Sequence, residues 1–250
     1  MLLRDHMVKV ADLVREFDVS EETIRRDLNE LERDGIAQKN YGGAVLTEDF
    51  IASMTSITPV DERRTQMGEE KDAIGRMAAK LVKEDQVVIV DAGSTTWSVA
   101  KHLGELNRLT VITNGINVAQ ELSHNQNFSV FVIGGKLNTH LMSLVSPQPE
   151  IEMQKYTADY VFLGTSGISM KKGFTSADIY EAEVKRAMVG VGEKVVILAD
   201  HTKLEKQGLI SFSSFDDVDI LITSSLANEE MLREIEKHGV EVLVCELQKT

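Results

Sequence analysis

The stretch VIVDAGSTTWSVAKHL, residues 88–103, reads as a short apolar strand ending on Asp91, a turn through Gly93, and a helix opening at Thr95 or Thr96. A strand, a glycine turn and a helix in that order aim the unpaired N–H groups and positive end of the helix beyond the strand. Ser94, Thr95 and Thr96 add hydroxyl donors, so the turn suits an anion. The same residues also serve as an ordinary Ser/Thr-capped turn, and no GK[ST] follows to make a Walker loop.

Outward from this stretch the chain alternates. Helix EEKDAIGRMAAKLV precedes it, and strand LTVIT, helix INVAQEL and strand SVFVI follow. After a less regular stretch around Pro147 and Pro149 come YVFLG, helix YEAEVKRAMV, KVVILAD, DILIT, helix NEEMLREIEKHG and VEVLVC. Apolar strands alternating with helices predict an α/β domain with a mostly parallel sheet covered on both faces. TNG (113–115), GGK (134–136), GTSG (164–167) and ADHTK (199–203) each follow a strand. Such turns meet at the carboxyl ends of the strands, where open parallel sheets bind ligands. Together with Lys203 they predict a pocket for a phosphorylated small molecule, although each alone also reads as a plain turn. Glu181 and Lys185, spaced i,i+4, also fit a surface helix pair. Lys203 equally fits a solvated loop lysine, and Trp97, the one tryptophan, fits packing.

Residues 1–46 differ. Val10, Leu13, Val14 and Phe17 recur at helical spacing, DVS breaks the pattern, and a second helix puts Ile24, Leu28 and Leu31 on one face. Ser20 suits the N-cap, Glu21 and Glu22 the first turn, and Gly35 the end. IAQKNYGGAVL then reads as two short strands around a turn at Asn40–Gly43. Two helices joined by a tight turn have the geometry of a helix-turn-helix. Arg26 points away from the apolar face, with Glu22, Asn29 and Arg33 close by and Thr23 and Arg25 on the flanks. Pairing of Arg25 and Arg26 with Glu21, Glu22, Asp27 and Glu30 on a solvated helix is the alternative. Thr47–Gln66 shows no sustained period and reads as a linker to a domain over residues 67–250.

Of 250 residues, 27 are basic and 40 acidic, a net charge of −13, and the region 1–46 itself holds seven basic and ten acidic groups. That excludes a surface that coats nucleic acid or an anionic membrane throughout, but not a local DNA-reading face. One cysteine, Cys245, and six scattered histidines give no disulfide and no metal motif. No apolar run reaches membrane-spanning length and MLLRDHM does not read as a signal peptide, so a cytoplasmic protein without cofactor or metal is expected.

The segment VKVADLVREFDVSEETIRRDLNELERDGIAQKNYGGAVL resembles the N-terminal winged helix-turn-helix of DeoR-type bacterial repressors of sugar metabolism, with TIRRDL joined to a downstream GGA. The resemblance implies double-stranded operator DNA as partner. Its interface would be Ser20, Glu22, Thr23, Arg25, Arg26 and Asn29 on the recognition helix, with Lys39, Tyr41, Gly42 and Gly43 on the wing. The family places a further helix ahead of VKVADL, where only MLLRDH stands, so this domain is expected to lack its first helix and part of its cover.

From about Pro59 to Glu246 the motifs DAGSTT, TNG, GG, GTSGI, EAEVKRAM and ADHTK resemble the family's effector-sensing domain, similar in fold to ribose-5-phosphate isomerase. By position, Asp91, Gly93, Ser94, Thr95 and Thr96 would hold a phosphate, Thr113, Asn114 and Gly135 would line the pocket, and Glu181, Lys185 and Lys203 would orient the sugar. Ser166 and Gly115 depart from residues frequent in the family and leave the sugar open. The implied function is repression of a sugar or sugar-alcohol catabolic operon, relieved by a phosphorylated sugar, by a homo-dimer or homo-tetramer. A sugar-phosphate-binding protein without effective DNA binding is the alternative, as is an isomerase-like enzyme. The latter lacks a carboxylate in GTSG, and no catalytic residue is assigned.

Overall fold

The computed structural model describes residues 1–2, 7–47, 58–146 and 148–247. Its contacts divide the chain into two units, Met1–Ile57 and Thr58–Thr250.

In the smaller unit, helices α1 (Val10–Phe17) and α2 (Glu21–Arg33) are followed by strands β2 (Ala37–Asn40) and β3 (Gly43–Leu46). A strand that sequence periodicity did not reveal, β1 (Met7–Lys9), pairs antiparallel with β3 to give the order β1-β3-β2. Three residues are too few to show alternation. What admits β1 is Gly43, where an added Cβ would lie 1.9 Å from the Val8 carbonyl oxygen. Val8, Val10, Leu13, Ile24, Leu28, Ala37 and Ala44 form the core, with Leu2, Val14 and Leu31 packed on it. Phe17, expected on the apolar face of α1, is instead 58% exposed. It ends α1, and Asp18 (φ 52°) turns the chain away before another element can cover that last position. The place of the expected further helix includes residues 3–6, which lie outside the described residues.

Within the segment 47–66, which shows no sustained period, Val60–Thr65 is helical (α3). Six residues cannot display a period. Asp61 and Glu62 in the first turn and Arg63 and Arg64 in the last complement the helix dipole, and Val60 is buried. Residues 48–57 of that segment lie outside the described residues.

The larger unit is built on seven parallel strands: β4 (Val87–Val90), β5 (Leu109–Thr113), β6 (Phe128–Val132), β9 (Ala158–Gly164), β12 (Gly192–Leu198), β14 (Ile220–Ser224) and β15 (Glu241–Cys245). Their order is β15-β14-β12-β9-β4-β5-β6. Successive residues face opposite sides. Ile89, Val161, Leu163, Ile197 and Leu221 therefore face one core, with α8 (Ile179–Val189) and α9 (Glu229–Lys237). Val88, Val90, Phe162, Val196 and Ile222 face the other, with α4 (Gly68–Ala79), α5 (Ser94–His102) and α6 (Ile116–Leu122). From β4 the chain runs outward through β5 and β6, and from β9 it runs the other way. The order thus reverses between β4 and β9, the position where doubly wound sheets open a crevice.

The irregular parts of the sequence supply two smaller sheets. Strands β7 (Lys136–Asn138) and β8 (Ser143–Val145) pair as a hairpin before the short helix α7 (Pro149–Met153), and β10 (Gly167–Ser169), β11 (Gly173–Ser176) and β13 (Ile210–Ser213) form an antiparallel sheet. Strands of three or four residues give no periodic signal, so these were not legible in sequence.

Candidate functional site

Asp91 stands at the end of β4 and Gly164 at the end of β9, on the two sides of the crevice. Asp91 Oδ2 accepts from Gly164 N–H at 3.2 Å and from the Lys185 ammonium, which also donates to the Gly164 carbonyl at 2.9 Å. Asp91 and Lys185 are both buried. Lys185 therefore does not form the surface pair with Glu181 that i,i+4 spacing allowed, because burial turns its stem inward to the strand ends.

Behind Asp91, the first backbone bond of α5 runs from Trp97 N–H to the Gly93 carbonyl at 3.0 Å. Among the described residues the N–H groups of Ser94, Thr95 and Thr96 have no protein acceptor, as a helix N-terminus dictates. All three side chains are buried, and Thr96 Oγ1 donates back to Gly93 O at 3.2 Å. Backbone donors without acceptors, set at a topological switch point beside a buried lysine, can take an anion's oxygens.

The neighbouring turns play more structural parts. Asn114 accepts from Ala92 N–H at 2.9 Å and donates to Leu144 O at 3.3 Å, so its amide ties three loops together. Thr113 Oγ1 accepts from Gly115 N–H at 3.0 Å. Gly135, at φ 145°, lets the chain pass Val145, whose carbonyl oxygen would lie 2.3 Å from a Cβ there.

Glu181 occupies the third residue of α8, where a capping-box glutamate would stand. Asp178 caps the helix by accepting from Glu181 N–H at 2.9 Å, but the Asp178 N–H goes to Ser176 Oγ at 3.4 Å instead of to Glu181. Glu181 Oε1 is left buried without a partner. Burial pushes its carboxyl up to about 7, with Asp91 and Asp178 adding to the rise and Lys185 and Arg63 opposing it.

Lys203 rides on the ADHTK turn, a short 3-10 helix held from two sides. Asp200 caps it, accepting from Thr202 N–H at 3.1 Å. Buried Glu70 on α4 grips it by accepting from His201 N–H at 3.2 Å, pairing with the His201 ring at 2.8 Å, and accepting from Ser224 Oγ at 2.5 Å. The Lys203 ammonium is lowered from its ordinary value, first by burial and then by Arg63 and Lys206, against Asp200.

Sequence reasoning missed three groups here. Asn117 on α6 has both amide atoms buried and unpartnered, and so has the Ser143 hydroxyl, which lies beside Gly115. Arg63 has its Nε buried and unpartnered. Buried polar atoms without partners call for water or a ligand. Asn117 falls just beyond TNG, and Arg63 sits in a segment without a period, so no motif pointed to either.

In the smaller unit, the pairing alternative holds for Arg25, which binds Glu21 at 2.6 Å, but barely for Arg26, whose nearest carboxylate, Asp27, is 3.7 Å away. Exposed pairs of this kind contribute about 0.3–0.5 kcal/mol, so neither fixes its arginine against a stronger partner. Ser20 Oγ accepts from Thr23 N–H at 3.1 Å, which caps α2 and occupies the hydroxyl. The residues Ser20, Glu22, Thr23, Arg25, Arg26 and Asn29 line one shallow concavity at the start of α2. Lys39 folds back from the wing onto Asn29 at 2.5 Å and Glu32 at 2.8 Å. Tyr41 is fully exposed at the wing tip, beside Gly42 at φ 84°.

Comparison with known proteins matches the DeoR-like helix-turn-helix domain over residues 1–50 and the DeoR C terminal sensor domain over residues 66–225. The chain is 37% identical to the HTH-type transcriptional regulator GolR of Listeria innocua, over 98% of this chain and 95% of that protein. It is 35% identical to the HTH-type transcriptional repressor GlcR of Bacillus subtilis, over 91% and 86%. Against the glycerol-3-phosphate regulon repressor of Escherichia coli identity is 28%, over 95% and 92%. Among solved structures, ribose 5-phosphate isomerase A of Methanocaldococcus jannaschii aligns with 54% of this chain and 53% of its own, at 17% identity and a TM-score of 0.40. Among the described residues no helix is long and apolar enough to cross a membrane, and no group of three His, Cys, Asp or Glu side chains could hold a metal.

Proposed function

Because this chain belongs to the DeoR family, we propose that it is a cytoplasmic DNA-binding repressor of a sugar or sugar-alcohol catabolic operon, released by a phosphorylated sugar. The observation that carries the effector half is the set of free Ser94–Thr96 N–H groups beside Lys185 at the crevice between β4 and β9. A phosphoryl group satisfies those donors, while Glu181, Asn117 and Lys203 face the sugar's hydroxyls. Asp91 acts by holding Lys185 rather than by touching the phosphate, which its own charge would repel. No catalytic role is assigned.

The DNA half rests on α2 and the wing. Arg26 and, once released from Glu21, Arg25 reach base edges or phosphates, with Ser20, Glu22, Thr23 and Asn29 at the same end of the helix and Lys39, Tyr41, Gly42 and Gly43 at the backbone. A homo-dimer or homo-tetramer presents two such helices to a repeated operator half-site. Effector and operator affinities are then linked, by about 1–3 kcal/mol in a typical coupled pair.

The deciding experiment is a mobility shift on the chain's own upstream promoter fragment, with glucose 6-phosphate, fructose 6-phosphate and glycerol 3-phosphate added in turn. A shift that one phosphate reverses is the expected result. A protein that binds a sugar phosphate but never the promoter would leave a sensor without operator binding, and the repressor reading would be withdrawn.

A further inference from the structure

Helix α3 lies against the first turns of α5. The Arg64 guanidinium carbon stacks 4.0 Å from the centre of the Trp97 ring, and Trp97 Nε1 donates to Glu121 at 3.1 Å. At the start of α3, Val60 N–H donates to His140 O at 2.8 Å and the Val60 side chain is buried. At its end the buried Lys71 ammonium donates to the carbonyls of Arg63 at 2.5 Å and Gln66 at 2.7 Å. Lys71 also stands 4.0 Å from Asp200, at the foot of the turn that carries Lys203.

This docking fixes the backbone of Arg63 and leaves its side chain unused. Among the described residues no side chain or carbonyl pairs with the guanidinium, and its Nε is buried without a partner. The Arg63 charge acts on Glu181, Lys203 and Lys71 alike, so the guanidinium lies within electrostatic reach of all three. Lys71 is pushed down to about 8, by burial first and by Lys203 and Arg63 as well, against Asp200 and Glu70. Three cations, Arg63, Lys71 and Lys203, therefore lie within electrostatic reach of one another near the Asp200 turn. Lys71 is occupied by carbonyls, and among the described residues Arg63 has no partner.

We propose that Arg63 is an effector-binding residue, donating to the anionic group of the bound ligand, and that α3 is thereby part of the effector site rather than of a linker. A guanidinium offers planar paired donors suited to a phosphoryl group, and partial burial strengthens each bond. Helix α3 is also the first described element after the wing strand β3, on the same continuous chain. The inference rests on the crevice being an anion site, as argued above.

The test uses the full chain and measures affinity by calorimetry for glucose 6-phosphate, fructose 6-phosphate, glycerol 3-phosphate and inorganic phosphate, with Trp97 fluorescence recorded alongside. For the phosphate that the unaltered protein binds, Arg63→Ala is expected to weaken binding about tenfold or more, as loss of a charged hydrogen bond does. Arg63→Lys should fall between the two. Arg64→Ala should change Trp97 emission while affinity stays within about twofold. If Arg63→Ala melts below the assay temperature, Arg63→Gln, which keeps the stem, carries the same expectation. Undiminished affinity in Arg63→Ala, with affinity weakened in Ser94→Pro, which removes one of the free N–H groups at the first position of α5, overturns the role of Arg63 and leaves the anion site standing. An equal loss in Arg64→Ala and Arg63→Ala shows a displaced helix rather than a missing ligand contact, and also overturns it. If the unaltered protein binds none of the four, the anion site and the inference fall together.

Discussion

Lys185, in the middle of α8, donates to Asp91 at the end of β4, ninety-four residues earlier in the chain, and the same ammonium holds the Gly164 carbonyl at the end of β9. One buried ion pair thus pins together the two strands between which the sheet order reverses. Charges taken out of water need each other, because the desolvation cost of either alone is several kcal/mol.

Lys185→Met should therefore destabilise the larger unit by about 3–5 kcal/mol, since it leaves Asp91 buried and uncompensated. Adding Asp91→Asn should restore part of the loss. Urea denaturation of the two variants checks this, and a double variant no more stable than Lys185→Met alone would count against the pair.

Glu181 gives stability a pH dependence. Its carboxyl rises from an ordinary 4.5 to about 7 in the folded chain, chiefly through burial. The folded state then binds more protons than the unfolded one between those values. The contribution is fully present below about 4.5 and is lost as pH rises through about 7, amounting to a few kcal/mol at roughly 1.4 kcal/mol per unit. Glu181→Gln should flatten the melting temperature against pH over that window, and thermal melts at pH 5 to 8 would show it.

On α2, Arg26→Ala should weaken operator binding by about 1–3 kcal/mol if it reads a base, or lower the salt slope by about 1 if it holds a phosphate. Arg25→Ala should cost less in net terms, because Arg25 must first leave Glu21. Salt-dependent binding isotherms separate the two residues. Equal and negligible effects would remove α2 from the interface.

Gly43→Ala should damage the wing alone. Its Cβ would meet the Val8 carbonyl 1.9 Å away, so β1 must part from β3. DNA affinity should fall sharply while calorimetric binding of a sugar phosphate is unchanged. A loss of both would show that the damage spreads beyond the smaller unit.

The sequence by itself determined the elements and the order of the strand-end turns. Period-2 and period-3.6 patterns, and Gly, Ser and Thr at turns, record preferences of neighbouring residues, and these suffice for β4, β5, α5, α6 and α8. Short pieces escaped it: β1, α3 and the β7–β8 hairpin are held by contacts from elsewhere in the chain, such as Val60 N–H on His140 O. The same limit applied to chemistry. The i,i+4 spacing of Glu181 and Lys185 suggested a pair, but only the folded sheet brought Asp91 to Lys185 and left Glu181 Oε1 alone. Arg63 stood in no motif, and only the docking of α3 placed it within electrostatic reach of Lys203 and Glu181. Which cation meets which anion depends on desolvation and on distances between residues far apart in the chain, and those exist only once the chain is packed.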